Sequence, residues 1–130
     1  ADVQRLAAAA IERFGGFDVW INNVGQGISR APSELDDEDI DRMITVNVKS
    51  ALYGMQAAVA HFKERGHGQV VNISSTLGRV PSVVPRCAYS ASKHFLNSLT
   101  ANFRQEVQAT HPEVCFTNVS PGLVFTEFGC

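Results

Sequence analysis

Residues 69–74 read Gln69-Val70-Val71-Asn72-Ile73-Ser74 (QVVNIS). The run is short, mostly apolar and rich in β-branched residues, with no alternating polar face. Such a run predicts a strand buried within a sheet rather than half-wetted at its surface. Gly66 and Gly68 stand before it, and a loop from Ser75 to Arg86 follows, punctuated by Gly78, Pro81 and Pro85. Two further runs have the same character: Asp18 to Val24 (DVWINNV) and Val114 to Ser120 (VCFTNVS), the latter broken by Pro121-Gly122.

Between these strands the periodicity changes to that of helices. Asp2 to Phe14 carries Val3, Leu6, Ala7, Ala10, Ile11 and Phe14 on one stripe and stops at Gly15-Gly16. A long helix opens with Glu34, Asp36, Asp37, Glu38 and Asp39, a solvated acidic start suited to a helix dipole and not a metal site. It continues through Ile40, Met43, Ile44, Val48, Leu52, Met55, Val59 and Phe62 and ends at Lys63, Arg65 and Gly66. Another runs from about Ala88 to Ala109 with Phe95, Leu96, Leu99, Phe103 and Val107 as its apolar set. Apolar strands joined by long helices predict parallel pairing through right-handed crossovers, a doubly wound α/β sheet.

Composition narrows the function. The 130 residues suffice for one domain with a core, and 45% apolar content is ordinary for a globular protein. A formal charge of −2 without a basic cluster offers no footprint for nucleic acid. The longest uncharged helical stretch, Ser50 to Phe62, is too short to span a bilayer. Cys87, Cys115 and Cys130 share no metal-type spacing and read as free thiols of a reducing, cytoplasmic compartment. His61, His67, His94 and His111 form no ligand cluster and read as surface or helix-end residues; no metal site is expected.

In open α/β sheets, ligands bind beyond the carboxyl ends of the strands. The polar and Gly-containing residues lie at those ends: Asn22-Asn23-Val24-Gly25, Ser74-Ser75 and Pro121-Gly122. Tyr89-Ser90-Ala91-Ser92-Lys93 follows the second strand's loop on the same rim. Positions i and i+4 share a helix face, so the Lys93 ammonium is expected beside the Tyr89 phenol. A cation held there favours phenolate; bringing any phenol from a pKa of about 10 to about 7 requires roughly 4 kcal/mol. Read alone, YxxxK also fits an ordinary helix with a buried Tyr and an exposed Lys.

Together these segments resemble the short-chain dehydrogenase/reductase family. Asn22-Asn23-Val24-Gly25 is similar to its NNAG, Asn47 in Thr45-Val46-Asn47-Val48 to its mid-helix Asn, and Asn72-Ile73-Ser74-Ser75 to the strand end carrying its catalytic Ser. Tyr89 to Lys93 is similar to YxxxK, and Pro121-Gly122-Leu123-Val124-Phe125-Thr126 to PGxVxT. The resemblance implies a Rossmann-like fold and hydride transfer between NAD or NADP and a secondary alcohol or ketone. It implies Tyr89 as general acid/base, Lys93 on the nicotinamide ribose, Ser75 on the substrate oxygen, and Asn47 holding a relay water. Asn22, Val24, Gly25, Ile73, Tyr89, Lys93, Pro121, Gly122, Val124 and Thr126 would line the cofactor. Ser75 sits one residue further from Tyr89 than the usual interval, which lands on Thr76; the following Gly78 favours Ser75, and Thr76 stays as the alternative.

The family's TGxxxGxG loop is absent from this sequence. Residues 1–130 are therefore expected to form the central to C-terminal-middle portion of a single NAD(P)-binding Rossmann-type domain, incomplete at both ends. Alone, they are expected not to bind NAD(P) measurably and to be poorly soluble and inactive. The family pairs its two long helices across a two-fold axis, so a homodimer or homotetramer is expected. Two other readings share these residues: a non-catalytic cofactor-binding or scaffold protein of the same fold, and an epimerase or dehydratase of the extended type. Substrate identity and the choice of NAD or NADP stay open.

Overall fold

The computed structural model describes residues 2–81 and 84–128; Cys130, grouped above with the free thiols, lies outside the described residues. The chain runs α1 (Asp2–Phe14), β1 (Val19–Asn22), α2 (Asp37–Met43), a π-helical turn (Ile44–Lys49), α3 (Ser50–Arg65), β2 (Gly68–Ile73), α4 (Cys87–Gln108) and β3 (Val114–Val119). Two 3-10 turns, Pro32–Glu34 and Thr76–Gly78, lie in the loops. The strands form one parallel sheet in the order β1-β2-β3, with Asn22 opposite Asn72 and Asn72 opposite Asn118.

Because both crossovers step in the same direction with the same hand, their helices fall on one face of the sheet. There α3 packs on β1 and β2, α4 on β3, and α1 on α3. The core is the layer between: Met55, Ala58, Phe62 and Leu96 from the helices meet Val70, Val114 and Phe116 from the strands. Among the described residues nothing covers the opposite face at β1. Val19 and Ile21 are 52% and 59% exposed, so β1 alternates where its sequence predicts burial on all sides.

Gly66 ends α3 in the left-handed region (φ +84°), and its N–H donates to the Phe62 carbonyl at 2.8 Å. Gly54 serves packing instead. A Cβ there would collide with the Asn22 carboxamide and the Trp20 indole, so only glycine lets α3 approach β1. Beneath it a fully paired polar chain crosses the sheet. Trp20 Nε1 donates to Asn22 Oδ1 (2.8 Å), Asn22 Nδ2 to Asn72 Oδ1 (2.7 Å), and Asn72 Nδ2 to Thr100 Oγ1 (2.9 Å).

Several single-residue expectations change. The stripe on α1 is largely exposed, with Ala7 its buried member. Phe95 faces outward. His61 is buried inside α3, accepts the Phe17 N–H at Nε2 (3.2 Å) and stacks on the Phe17 ring at 4.4 Å. Asp39 is buried too, forming a capping box with Asp36 and an ion pair with Arg30 at 3.0 Å. Cys87 and Cys115 are unpaired thiols. Among the described residues no helix is long and apolar enough to cross a membrane.

Candidate functional site

The carboxyl ends of all three strands lie at one edge, where α4 begins and the π-helical turn passes. A π turn holds an extra residue per turn, and such bulges concentrate at functional sites. Here it carries Asn47, which is 1% exposed. Its carboxamide clasps both backbone groups of Gln26: Nδ2 donates to the carbonyl (2.9 Å), and Oδ1 accepts the N–H (2.7 Å). Nδ2 also donates to Ser92 Oγ at 3.0 Å, and Ser92 Oγ donates to the Tyr89 carbonyl at 2.7 Å. One buried amide thus fastens the loop after β1 to the first turns of α4.

Lys93 comes up from α4 beneath that clasp. Its Nζ donates to the Ile73 carbonyl at 2.8 Å and lies 5.6 Å from the centre of the Tyr89 ring. The side chain is buried, and desolvation pushes the ammonium pKa below its ordinary 10.5. Three donors sit on an ammonium, so among the described residues the bond to Ile73 leaves capacity for a ligand. Gly25 borders this space, with Phe128 on its far side. A Cβ on Gly25 would stand 3.6 Å from Lys93 Nζ and 3.7 Å from Asn47 Oδ1, in the space before both groups.

The i,i+4 spacing therefore brings Tyr89 and Lys93 to one side of α4, and Asn47, Gly25 and Ile73 join them. Ser75 stands at the adjoining strand end. It is buried and opens the 3-10 turn by accepting the Leu77 N–H at Oγ (3.1 Å). Leu77 in turn packs on the small cluster of Met43, Ala88 and Tyr89. Thr76 is exposed, and its N–H donates to the Pro121 carbonyl at 3.0 Å.

Other candidates are not gathered in. Asn22 turns its side chain inward to the Trp20–Asn72 chain, so its part at the rim is backbone alone. Val24, Gly122, Val124 and Thr126 are exposed along the edge, and nothing approaches within 4 Å of a Cβ at Gly122. Phe128, unremarked in the sequence, packs on Tyr89 with ring centres 5.8 Å apart. Ser92 and Gln26 were missed as well. Ser92 had one available signal: with Asn97 and Thr100 it places polar groups among the apolar positions of α4.

The chain matches the family model for short chain dehydrogenases over residues 1–129. It is similar to the uncharacterized oxidoreductase YxnA of Bacillus subtilis (strain 168), at 33% identity over 98% of this chain and 36% of that protein. The uncharacterized oxidoreductase MW2403 of Staphylococcus aureus (strain MW2) is 34% identical over 96% of this chain and 53% of its own length. Among solved structures, ElxO with NADP bound superposes with a TM-score of 0.89 at 28% identity, covering 96% of this chain and 50% of that one. NADH-dependent reductase A1-R' complexed with NAD gives a TM-score of 0.84 at 31% identity, covering 98% and 56%. The chain thus spans about half the length, or less, of the relatives it matches. With a parallel three-stranded sheet, crossover helices and a family match along nearly its whole length, this chain belongs to the short chain dehydrogenase family.

Proposed function

We propose that these residues form the nicotinamide-side part of a dinucleotide-binding domain that transfers hydride between NAD or NADP and a secondary alcohol or ketone. The observation that carries the proposal is the junction of Asn47, Lys93 and Tyr89 at the strand ends, bordered by Gly25. The NADP and NAD bound to the similar structures support the choice of cofactor. The donor set fits it, since the Lys93 ammonium has spare donors for ribose hydroxyls at the strand-end rim.

When bound, the nicotinamide supplies or accepts the hydride. The chain manages the proton. Tyr89 gives its phenolic proton to the substrate oxygen during reduction and takes it back during oxidation. Lys93, whose Nζ lies 5.6 Å from the ring centre, stabilises the phenolate that remains. Ser75 Oγ already accepts from Leu77, so its own O–H proton is free to hold the substrate oxygen as charge develops there. Asn47 keeps the loop after β1 at the depth this arrangement needs.

The test uses the full-length protein with NADH and NADPH deuterated at C4 and a panel of ketones and aldehydes. Deuterium is expected on the carbinol carbon of the product. Cofactor binding without consumption across the panel would favour a non-catalytic role. An epimerase or dehydratase would return the label to the cofactor and transfer none net.

The same helices support assembly with a second copy. Ile40 and Ile44 on the α2 side, Tyr53 on α3 and Phe95 on α4 are large apolar residues left exposed. We propose a homodimer, or a tetramer built from it, with an isologous interface through these helices. Light scattering on the full-length protein is expected to give at least twice the monomer mass; a dilute, active monomer would contradict the proposal.

A further inference from the structure

We propose that Asn97 is a positioning residue that fixes Ser75 relative to Tyr89, an assignment that rests on the role given to Ser75 above. Asn97 lies four residues beyond Lys93 and eight beyond Tyr89, so α4 presents all three along one side. Its carboxamide makes three bonds, two into the segment around Ser75 and one to β3. Oδ1 accepts from Ser74 Oγ at 2.6 Å and from Asn118 Nδ2 at 3.2 Å. Nδ2 donates to the Gly78 carbonyl at 2.8 Å. Ser74 immediately precedes Ser75, and Gly78 closes the turn that Ser75 opens. The tie therefore brackets the hydroxyl on both sides.

The rest of the turn is held from the same helix. Ser90 Oγ donates to the Leu77 carbonyl at 2.6 Å. Gly78 lies flat on α4: a Cβ there would stand 2.8 Å from Asn97 Nδ2 and 3.0 Å from both the Cβ and the carbonyl oxygen of Lys93. The end of β2 is joined to β3 through Ser74 N–H to the Val119 carbonyl (2.7 Å), and Asn118 on β3 reaches the same Asn97 oxygen. One side chain thus links two strands and a turn to the helix that carries the proton donor. The distance between the hydroxyl at position 75 and the phenol at position 89 becomes a property of α4. An error of about 1 Å in such a distance costs on the order of a hundredfold in rate, so a tie of three bonds has a catalytic consequence beyond stability.

The experiment is a double-mutant cycle in the full-length protein, with Asn97→Ala, Ser75→Ala and the pair together, measuring kcat, KM for NADH or NADPH, and melting temperature. Asn97→Ala is expected to lower kcat about tenfold with cofactor KM unchanged, and to cost less than about twofold when Ser75 is already Ala. An equal loss in both backgrounds, or no loss in the single variant, would overturn the assignment and leave Asn97 a stabilising residue. Full turnover in Ser75→Ala itself would instead overturn the role of Ser75, and this inference with it. If Asn97→Ala does not fold, Ser74→Ala removes only the 2.6 Å bond and completes the same cycle with the same criterion.

Discussion

Tyr89→Phe in the full-length protein is expected to abolish measurable turnover, a loss on the order of 10²–10⁴-fold, while cofactor affinity and melting temperature hold. The substitution removes one oxygen from a residue whose ring does the packing. Tyr89 is buried with Met43 and Ala88 and faces Phe128, and these contacts are equally open to phenylalanine. Among the described residues no hydrogen bond to its hydroxyl is present, so its removal orphans no structural partner. The loss therefore belongs to chemistry rather than folding. Steady-state rates with NADH and NADPH, paired with calorimetric titration of each cofactor, make the measurement; a variant keeping most of its rate would take Tyr89 out of the mechanism.

The lysine beside it sets the sign of the pH dependence. Burial lowers the pKa of Lys93 from 10.5, which makes its ammonium a readier source of protons than a surface lysine. Below that lowered pKa the ammonium is present to stabilise the phenolate and resupply its proton. As pH rises through it, the charge is lost. Carbonyl reduction, which consumes a proton, is thus expected to slow with rising pH before an exposed lysine would titrate.

The parts of this fold legible in the sequence were those where one physical signal dominated. QVVNIS and VCFTNVS lie where their apolar runs place them, and the rim motifs follow because residues after a parallel strand gather at one edge. The π turn was illegible: one residue added to a turn leaves the apolar spacing of a long helix nearly unchanged. It is what carries Asn47 in toward Gln26 and Ser92. The bare sheet face was also hidden, since β1 reads as apolar on both sides whether or not anything covers Val19 and Ile21. Buried polar residues failed for a third reason. Whether His61 or Asp39 can be buried, and whether Asn97 finds partners, depends on residues elsewhere in the chain, here Phe17, Arg30 and Ser74 with Asn118, and no local pattern encodes those pairings.

Ser75→Ala is expected to cut kcat by at least about a hundredfold, the scale of losing one donor to a developing oxyanion, whereas Thr76→Ala should cost far less. Spacing to Tyr89 leaves the two hydroxyls in competition, and their environments separate them. Ser75 is buried, and its oxygen already accepts the Leu77 N–H, an arrangement that fixes the oxygen and leaves the proton free to donate. Thr76 is exposed and contributes to the turn through its backbone N–H, which bonds the Pro121 carbonyl and survives a change of side chain. Alanine at 75 also gives up the cap on the 3-10 turn, a cost of about 1 kcal/mol. A melting temperature measured alongside kcat therefore separates a loosened turn from a lost donor. If Thr76→Ala proves the more damaging substitution, the extra residue in the loop lies before this turn rather than after it. The reactive hydroxyl would then reach the site from a backbone position that in this structure faces solvent.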